Sequence, residues 1–264
     1  MLATAGRPSE APSIATARPA VAVTGLTKRF ASGPPVFAGL DLAIRPGEAV
    51  AIIGANGTGK STLLRCLVRL TEPSEGRIEV LGEAVTDLRG TALRRFRTRV
   101  GFVFQRHNLV ARLSALTNVV HGAQSRLSGP RTWLQGLATA EVRGEALACL
   151  ARVGLADRAM QRADSLSGGQ SQRVAIARML MQRPHLVIAD EPDASLDPKS
   201  GAEIMELLLS LNREAGLTLL FVSHHMDHAV RFSDRIVGLA HGRVSLDAPS
   251  GGVDPGALKT FFEG

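Results

Sequence analysis

The chain has 264 residues, 45% hydrophobic but only 4% aromatic, with one Trp and no Tyr. That length suits one large domain or one domain with a subdomain, and the core has to be aliphatic. No apolar run approaches the roughly 18 to 20 residues that cross a bilayer, and the net charge of +7 comes mostly from arginine.

Residues 1–19, rich in Ala, Pro, Ser and Thr and carrying Glu10, lack the apolar centre of a secretory signal. They read as a disordered tail. Ordered patterning starts at Val21. Residues 36–44 and 49–53 read as strands, 60–70 as a helix, and 77–81 and 100–104 as further strands. Arg94, Arg95, Arg97 and Arg99 form the densest basic run. With no aromatic platform interleaved, a solvated helix face is favoured over a nucleic-acid or lipid site.

From about residue 108 to 163 strand signals thin out. Val142, Ala146, Leu147 and Leu150 show helical spacing, and 125–136 is broken by Gly and Pro. Alternation then resumes: helix 170–182, strand 186–189, helix 200–214 and strand 217–222. A hairpin over 236–247 turns near His241 and Gly242, and a tail follows from about 248. Short aliphatic runs separated by Gly and Pro imply an α/β parallel-sheet core interrupted by a helical insertion at about 106–168. Cys66 and Cys149 lie in helical patterns without metal spacing and read as core residues of a reduced, cytoplasmic protein.

Three segments carry chemistry. Gly54-Ala55-Asn56-Gly57-Thr58-Gly59-Lys60-Ser61, followed by Thr62, fits the phosphate-loop pattern between an apolar strand and an aliphatic helix. Glycines let backbone N–H groups turn inward around phosphates, and the helix start adds a positive dipole end. Lys60 is placed for the β- and γ-phosphates and the Ser61 hydroxyl for Mg²⁺. Residues 186–189 lead an apolar strand into Asp190, a candidate for holding Mg²⁺ through water, and Glu191, a candidate for orienting or deprotonating the attacking water. Leu166-Ser167-Gly168-Gly169-Gln170 makes a second anion-ready helix start, although an ordinary capped helix has the same look.

In this order, together with Gln105 after a strand, Ser195-Leu196-Asp197, and His224 after another strand, the chain resembles the ATP-binding cassette ATPases over residues 21–247. The resemblance implies a P-loop NTPase core with a mixed sheet, an antiparallel β subdomain and an inserted α-helical subdomain. It implies a homodimer in which each ATP lies between one subunit's phosphate loop and the other's LSGGQ. Ser167 and Gly169, within 167–170, then meet the partner's γ-phosphate. Gln105 senses Mg²⁺ and the γ-phosphate, His224 contacts that phosphate, and Asp197 crosses the interface. Phe30 matches the aromatic that stacks on adenine, with a plain core Phe as the alternative.

Within the family, residues 100–105, 108–110, 112–114 and 116–119, His121-Gly122, the surroundings of Trp133, 153–157 with 161–163, and 189–192 leading to 194–198 resemble phosphonate-import ATPases. Ser171, His225, Asn56 and Thr58 depart from common choices. The resemblance implies transmembrane permease subunits, an extracytoplasmic substrate-binding protein, a peripheral place at the cytoplasmic face of the inner membrane, and no nucleic-acid partner. Cassette ATPases of translation or DNA repair usually carry two cassettes or a long coiled coil, neither of which is present. Other cargoes, such as amino acids, phosphate or lipoproteins, are the nearer alternative.

Overall fold

The computed structural model describes residues 18–31, 33–105, 107–127, 129, 132–253 and 255–262. Its centre is a six-stranded sheet in the order β10-β9-β3-β8-β7-β6. The strands are β3 (Ala49–Ile53), β6 (Val100–Val103), β7 (Leu186–Asp190), β8 (Thr218–Val222), β9 (Arg235–Ala240) and β10 (Arg243–Pro249). All neighbours pair in parallel except β9 with β10.

Every residue of β3, β7 and β8 is buried. Their continuous apolar runs follow from a parallel sheet covered on both faces. The period of two divides each strand between two cores. Ala49, Ala51 and Ile53 face one, whereas Val50 and Ile52 face the other.

The second core lies between this sheet and an antiparallel one in the order β2-β1-β4-β5. Its strands are β1 (Val21–Lys28), β2 (Phe37–Ile44), β4 (Glu75–Val80) and β5 (Glu83–Ala84). Helix α1 (Lys60–Leu67) packs there through Leu63, Leu64 and Leu67, each contributing roughly 1.5–3 kcal/mol by burial. It stops short of the expected residue 70, and Arg69 just beyond adopts a left-handed φ of 52°. The Arg69 guanidinium ties that turn to Glu72 at 2.6 Å.

The basic run falls on α2 (Gly90–Thr98) and just past it. Arg94 and Arg95 are exposed, as expected of a solvated face. Arg97 instead donates to the carbonyls of Val68 and Arg69 at 2.9 and 2.6 Å, capping the end of α1.

The helical insertion contains α3 (Ala115–Val120) and α4 (Ala140–Arg152), capped by Ser114 and Thr139. Both pack on α5 (Gly168–Met181) within the core that also takes Ala49, Val187 and Phe221. The insertion therefore shares the hydrophobic core of the sheet. Helices α6 (Pro198–Ala215) and α7 (Met226–Arg231) complete the outer layer.

The hairpin turns at His241 and Gly242, both with positive φ, as expected. The stretch expected as a tail from 248 instead continues β10 to Pro249 and then forms α8 (Pro255–Phe262). Leu258 is fully buried, and the Phe261 ring sits where a Cβ on Gly238 would come within 2.6 Å of it. Most of the expected N-terminal tail, 1–17, lies outside the described residues.

Candidate functional site

Strand β3 delivers the phosphate loop to the carboxyl edge of the sheet, where open α/β folds place their ligands. Gly54 has φ 150°, and a Cβ there would lie 2.5 Å from the Leu239 carbonyl oxygen. Gly59 has φ 96°, and a Cβ there would lie 2.7 Å from the Phe37 ring. Only glycine fits either position, so the loop curls tightly against β9 and β2. Thr58 donates its hydroxyl to the Ala55 carbonyl at 2.9 Å. Buried Lys60 donates to the carbonyls of Gly54 and Ala55 at 2.6 and 2.9 Å. A cavity of about 210 Å³ opens here, lined by Val36, Asn56, Gly57, the run from Gly59 to Thr62, and Glu191. A larger cavity of about 960 Å³ lies elsewhere, lined in part by Arg18, Leu81, His185 and Thr218. It contains none of the phosphate-loop residues.

The sheet register aligns the remaining chemistry. Ile52 pairs with Val222, and Val222 with Asp190, so the ends of β3, β8 and β7 form one row. Ser61 donates its hydroxyl to Asp190 at 2.7 Å. One residue on, Glu191 adopts a left-handed φ of 52°. A non-glycine residue there costs about 1–3 kcal/mol and is held by its surroundings. His224, beyond β8, places Nε2 2.6 Å from Glu191 Oε1.

A family model described as ABC transporter matches residues 37–194, more than half of the chain. The chain belongs to the ABC transporter family. It is 47% identical over 246 residues to the phosphonates import ATP-binding protein PhnC of Bordetella parapertussis, covering 92% of this chain and 96% of that one. Against the PhnC of Frankia casuarinae identity is 49% over 235 residues, covering 89% and 92%. A solved dimeric bacterial ABC transporter cassette, MJ0796, superposes with TM-score 0.78 at 36% identity, over 88% of this chain and all of that one. The same cassette in a dimeric post-hydrolysis state, bound to ADP and Pi, gives 0.77.

The other ABC ATPase segments are placed as follows. Ser167 caps α5 in a reciprocal box: it accepts from Gln170 N at 3.3 Å, while Gln170 Oε1 accepts from Ser167 N at 3.0 Å. Asp197 caps α6 by accepting from Ser200 N at 3.1 Å. These two helix starts stand side by side, since a Cβ on Gly169 would lie 3.6 Å from Ser200. Yet no residue of 166–170 lines the phosphate cavity of its own chain. Gln105 follows β6 and is exposed. Phe30 is 52% exposed, which excludes the plain core alternative. The Lys28 ammonium lies 4.7 Å from the centre of its ring.

Burial holds the Lys60 ammonium below its ordinary pKa, opposed by the charges of Glu191 and Asp190. Burial pushes Asp190 upward, and the Ser61 hydrogen bond and Arg65 offset part of that. A buried ammonium near a buried carboxylate is matched to a ligand pairing polyphosphate with a hard cation. Among the described residues no three His, Cys, Asp or Glu side chains cluster to hold a metal alone. Ser61 and Asp190 by themselves offer fewer oxygen ligands than the roughly six that a cation such as Mg²⁺ takes. Both cysteines are buried, as expected, and burial raises each thiol to about 11.

Sequence reasoning missed Arg65, 3.8 Å from Asp190, and a buried group made by Asp193, Ser223 and His228. The signal for the latter was present: a third carboxylate between Asp190 and Asp197, and a histidine four residues after His224.

Proposed function

We propose that this ABC ATPase drives a phosphonate importer, acting as one of two identical subunits bound to transmembrane permease subunits at the cytoplasmic face of the inner membrane. The observation that carries the cargo is the 47–49% identity to phosphonate-import ATPases over about nine-tenths of the chain. An extracytoplasmic binding protein delivers the phosphonate, and nucleic acid has no part. Among the described residues no helix is long and apolar enough to cross a membrane, which accords with permease subunits on other chains.

In this reading Phe30 stacks on adenine, and the backbone of 54–62 cradles the phosphates at the N-terminus of α1. Lys60 leaves its carbonyl partners for the β- and γ-phosphates. Ser61, Asp190 and Gln105 would hold Mg²⁺, which would supply charge neutralisation on the phosphate oxygens. Glu191 orients the attacking water and takes its proton. His224 exchanges its bond to Glu191 for one to the γ-phosphate. Ser167 to Gln170 of the second subunit close the site from the far side, and Asp197 crosses the interface. The support for a shared site is that α5 starts outside its own chain's phosphate cavity, next to the start of α6. Loss of the γ-phosphate removes the contacts that join the two surfaces, and the dimer opens.

Deleting the chain should abolish growth on an alkylphosphonate as sole phosphorus source while leaving growth on inorganic phosphate intact. Normal phosphonate uptake by the deletion strain, with no duplicate ATPase, would overturn the cargo. Loss of amino-acid, phosphate or lipoprotein transport instead would reassign it.

A further inference from the structure

Strands β7 and β8 end in one row, with Asp190 opposite Val222. The two loops that leave them are tied together twice. The outer tie is Glu191 to His224 at 2.6 Å. It joins two groups that both have to turn to phosphate and water during turnover, so it cannot keep the loops in register through the cycle.

The inner tie is different. Asp193 has a side chain only 2% exposed and His228 one 14% exposed, with His228 Nδ1 2.5 Å from Asp193 Oδ2. Fully buried Ser223 donates to the same oxygen at 3.3 Å and accepts from His225 N at 3.0 Å. Ser223 immediately precedes His224, and Asp193 follows Glu191 by two residues. Helix α6 closes on this group through Gly201, where a Cβ would lie 3.3 Å from the Asp193 Cβ and 3.7 Å from the His228 ring. The His225 and Phe232 rings lie 4.9 and 5.4 Å from that of His228. None of Asp193, Ser223 and His228 lines the phosphate cavity.

We infer that Asp193, His228 and Ser223 form a positioning clamp that keeps Glu191 and His224 in register when these two release each other to engage nucleotide. This rests on the reading of Glu191 and His224 given above. A buried carboxylate with two hydrogen-bond donors resists rearrangement, because freeing it leaves an unpaired charge in the interior. The clamp joins three elements: the loop carrying Glu191 and Asp197, the loop carrying His224, and the start of α6. Its members touch neither substrate nor metal; they act through the residues they hold.

The test uses the full-length chain and reads kcat, KM for ATP, and thermal unfolding. In the double variant Asp193→Leu/His228→Leu both ends of the pair go together, so no buried charge is stranded. Because misplacing a catalytic group by about 1 Å costs on the order of 10²-fold, kcat should fall roughly 10- to 100-fold while KM stays within about 3-fold. His228→Leu alone should show the same loss. His228→Asn keeps an N–H donor near the Nδ1 position and should recover most of kcat. Glu191→Gln, measured alongside, tests the underlying assignment separately: normal turnover there sinks the base role whatever the clamp variants do. The clamp is overturned if the double variant keeps its kcat, if His228→Asn is as slow as His228→Leu, or if kcat, KM and unfolding temperature shift in step. Failure of both His228 variants to fold assigns the pair to stability alone and also overturns it.

Discussion

Replacing Gly54 by alanine should damage stability and catalysis together, through one methyl group. The Cβ would lie 2.5 Å from the Leu239 carbonyl oxygen and 2.9 Å from the Thr58 hydroxyl, about 0.9 Å inside the 3.4 Å at which ordinary contact begins. A φ of 150° adds strain that alanine cannot avoid. Backbone strain of about 1–3 kcal/mol and overpacking of about 1–3 kcal/mol together predict a loss of roughly 2–6 kcal/mol. The nearest relief is to push the loop away from β9. Thr58 Oγ1 and Lys60 Nζ both bond to the Ala55 carbonyl, so that shift reaches the lysine directly. A displacement near 1 Å at the phosphates should slow turnover on the order of 10²-fold. Urea denaturation measures the first effect, and steady-state ATP hydrolysis on the folded fraction the second. A Gly54→Ala chain within about 0.5 kcal/mol of the parent, the range of an inert surface change, and with parental turnover refutes the close-packing argument.

Glu191→Gln keeps size and hydrogen bonding but removes the carboxylate proposed as the base. Turnover should fall about 10²- to 10⁴-fold while ATP binding persists and closed dimer accumulates on gel filtration; near-parental hydrolysis in the assembled transporter counts against the assignment. If the site is shared between two chains, Lys60→Ala and Ser167→Arg each break a different half of it. Mixed, they should form ATP-dependent heterodimers, and a mixture no better than either alone contradicts the shared site. For Asp190→Asn the sign follows from linkage. Burial raises the folded pKa above the unfolded value, so the folded chain holds its proton more tightly and stability falls as pH rises between the two. The variant should therefore unfold at higher temperature than the parent near pH 7.5, with the gap closing as pH drops toward the ordinary 3.8. Equal or lower stability near neutral pH refutes a burial penalty there.

The sequence by itself determined what depends on neighbours along the chain. The phosphate loop was legible because Gly54, Gly57 and Gly59 mark conformations that other residues resist, and because an aliphatic run enters and leaves it. The buried strands were legible from short aliphatic runs, and the hairpin from His241-Gly242. Helix ends were off by a few residues wherever a distant group set them, as where Arg97 caps the carbonyls beyond α1. β1 went unassigned and α8 was read as tail, because each is secured by partners far away in sequence: β2 and β4 for the first, Gly238 for the second.

Within the site, the sequence supplied Lys60, Ser61, Asp190, Glu191 and His224 as separate candidates. Only the tertiary structure decided that β8 lies between β3 and β7, and hence that His224 meets Glu191. The same register buried Asp193 against Ser223 and His228, a pairing that the extra carboxylate and histidine in the sequence could suggest but not fix. The physical reason is range. Periodicity and turn chemistry act over a few residues, whereas sheet order and the pairing of groups about thirty residues apart follow from how complete faces pack together.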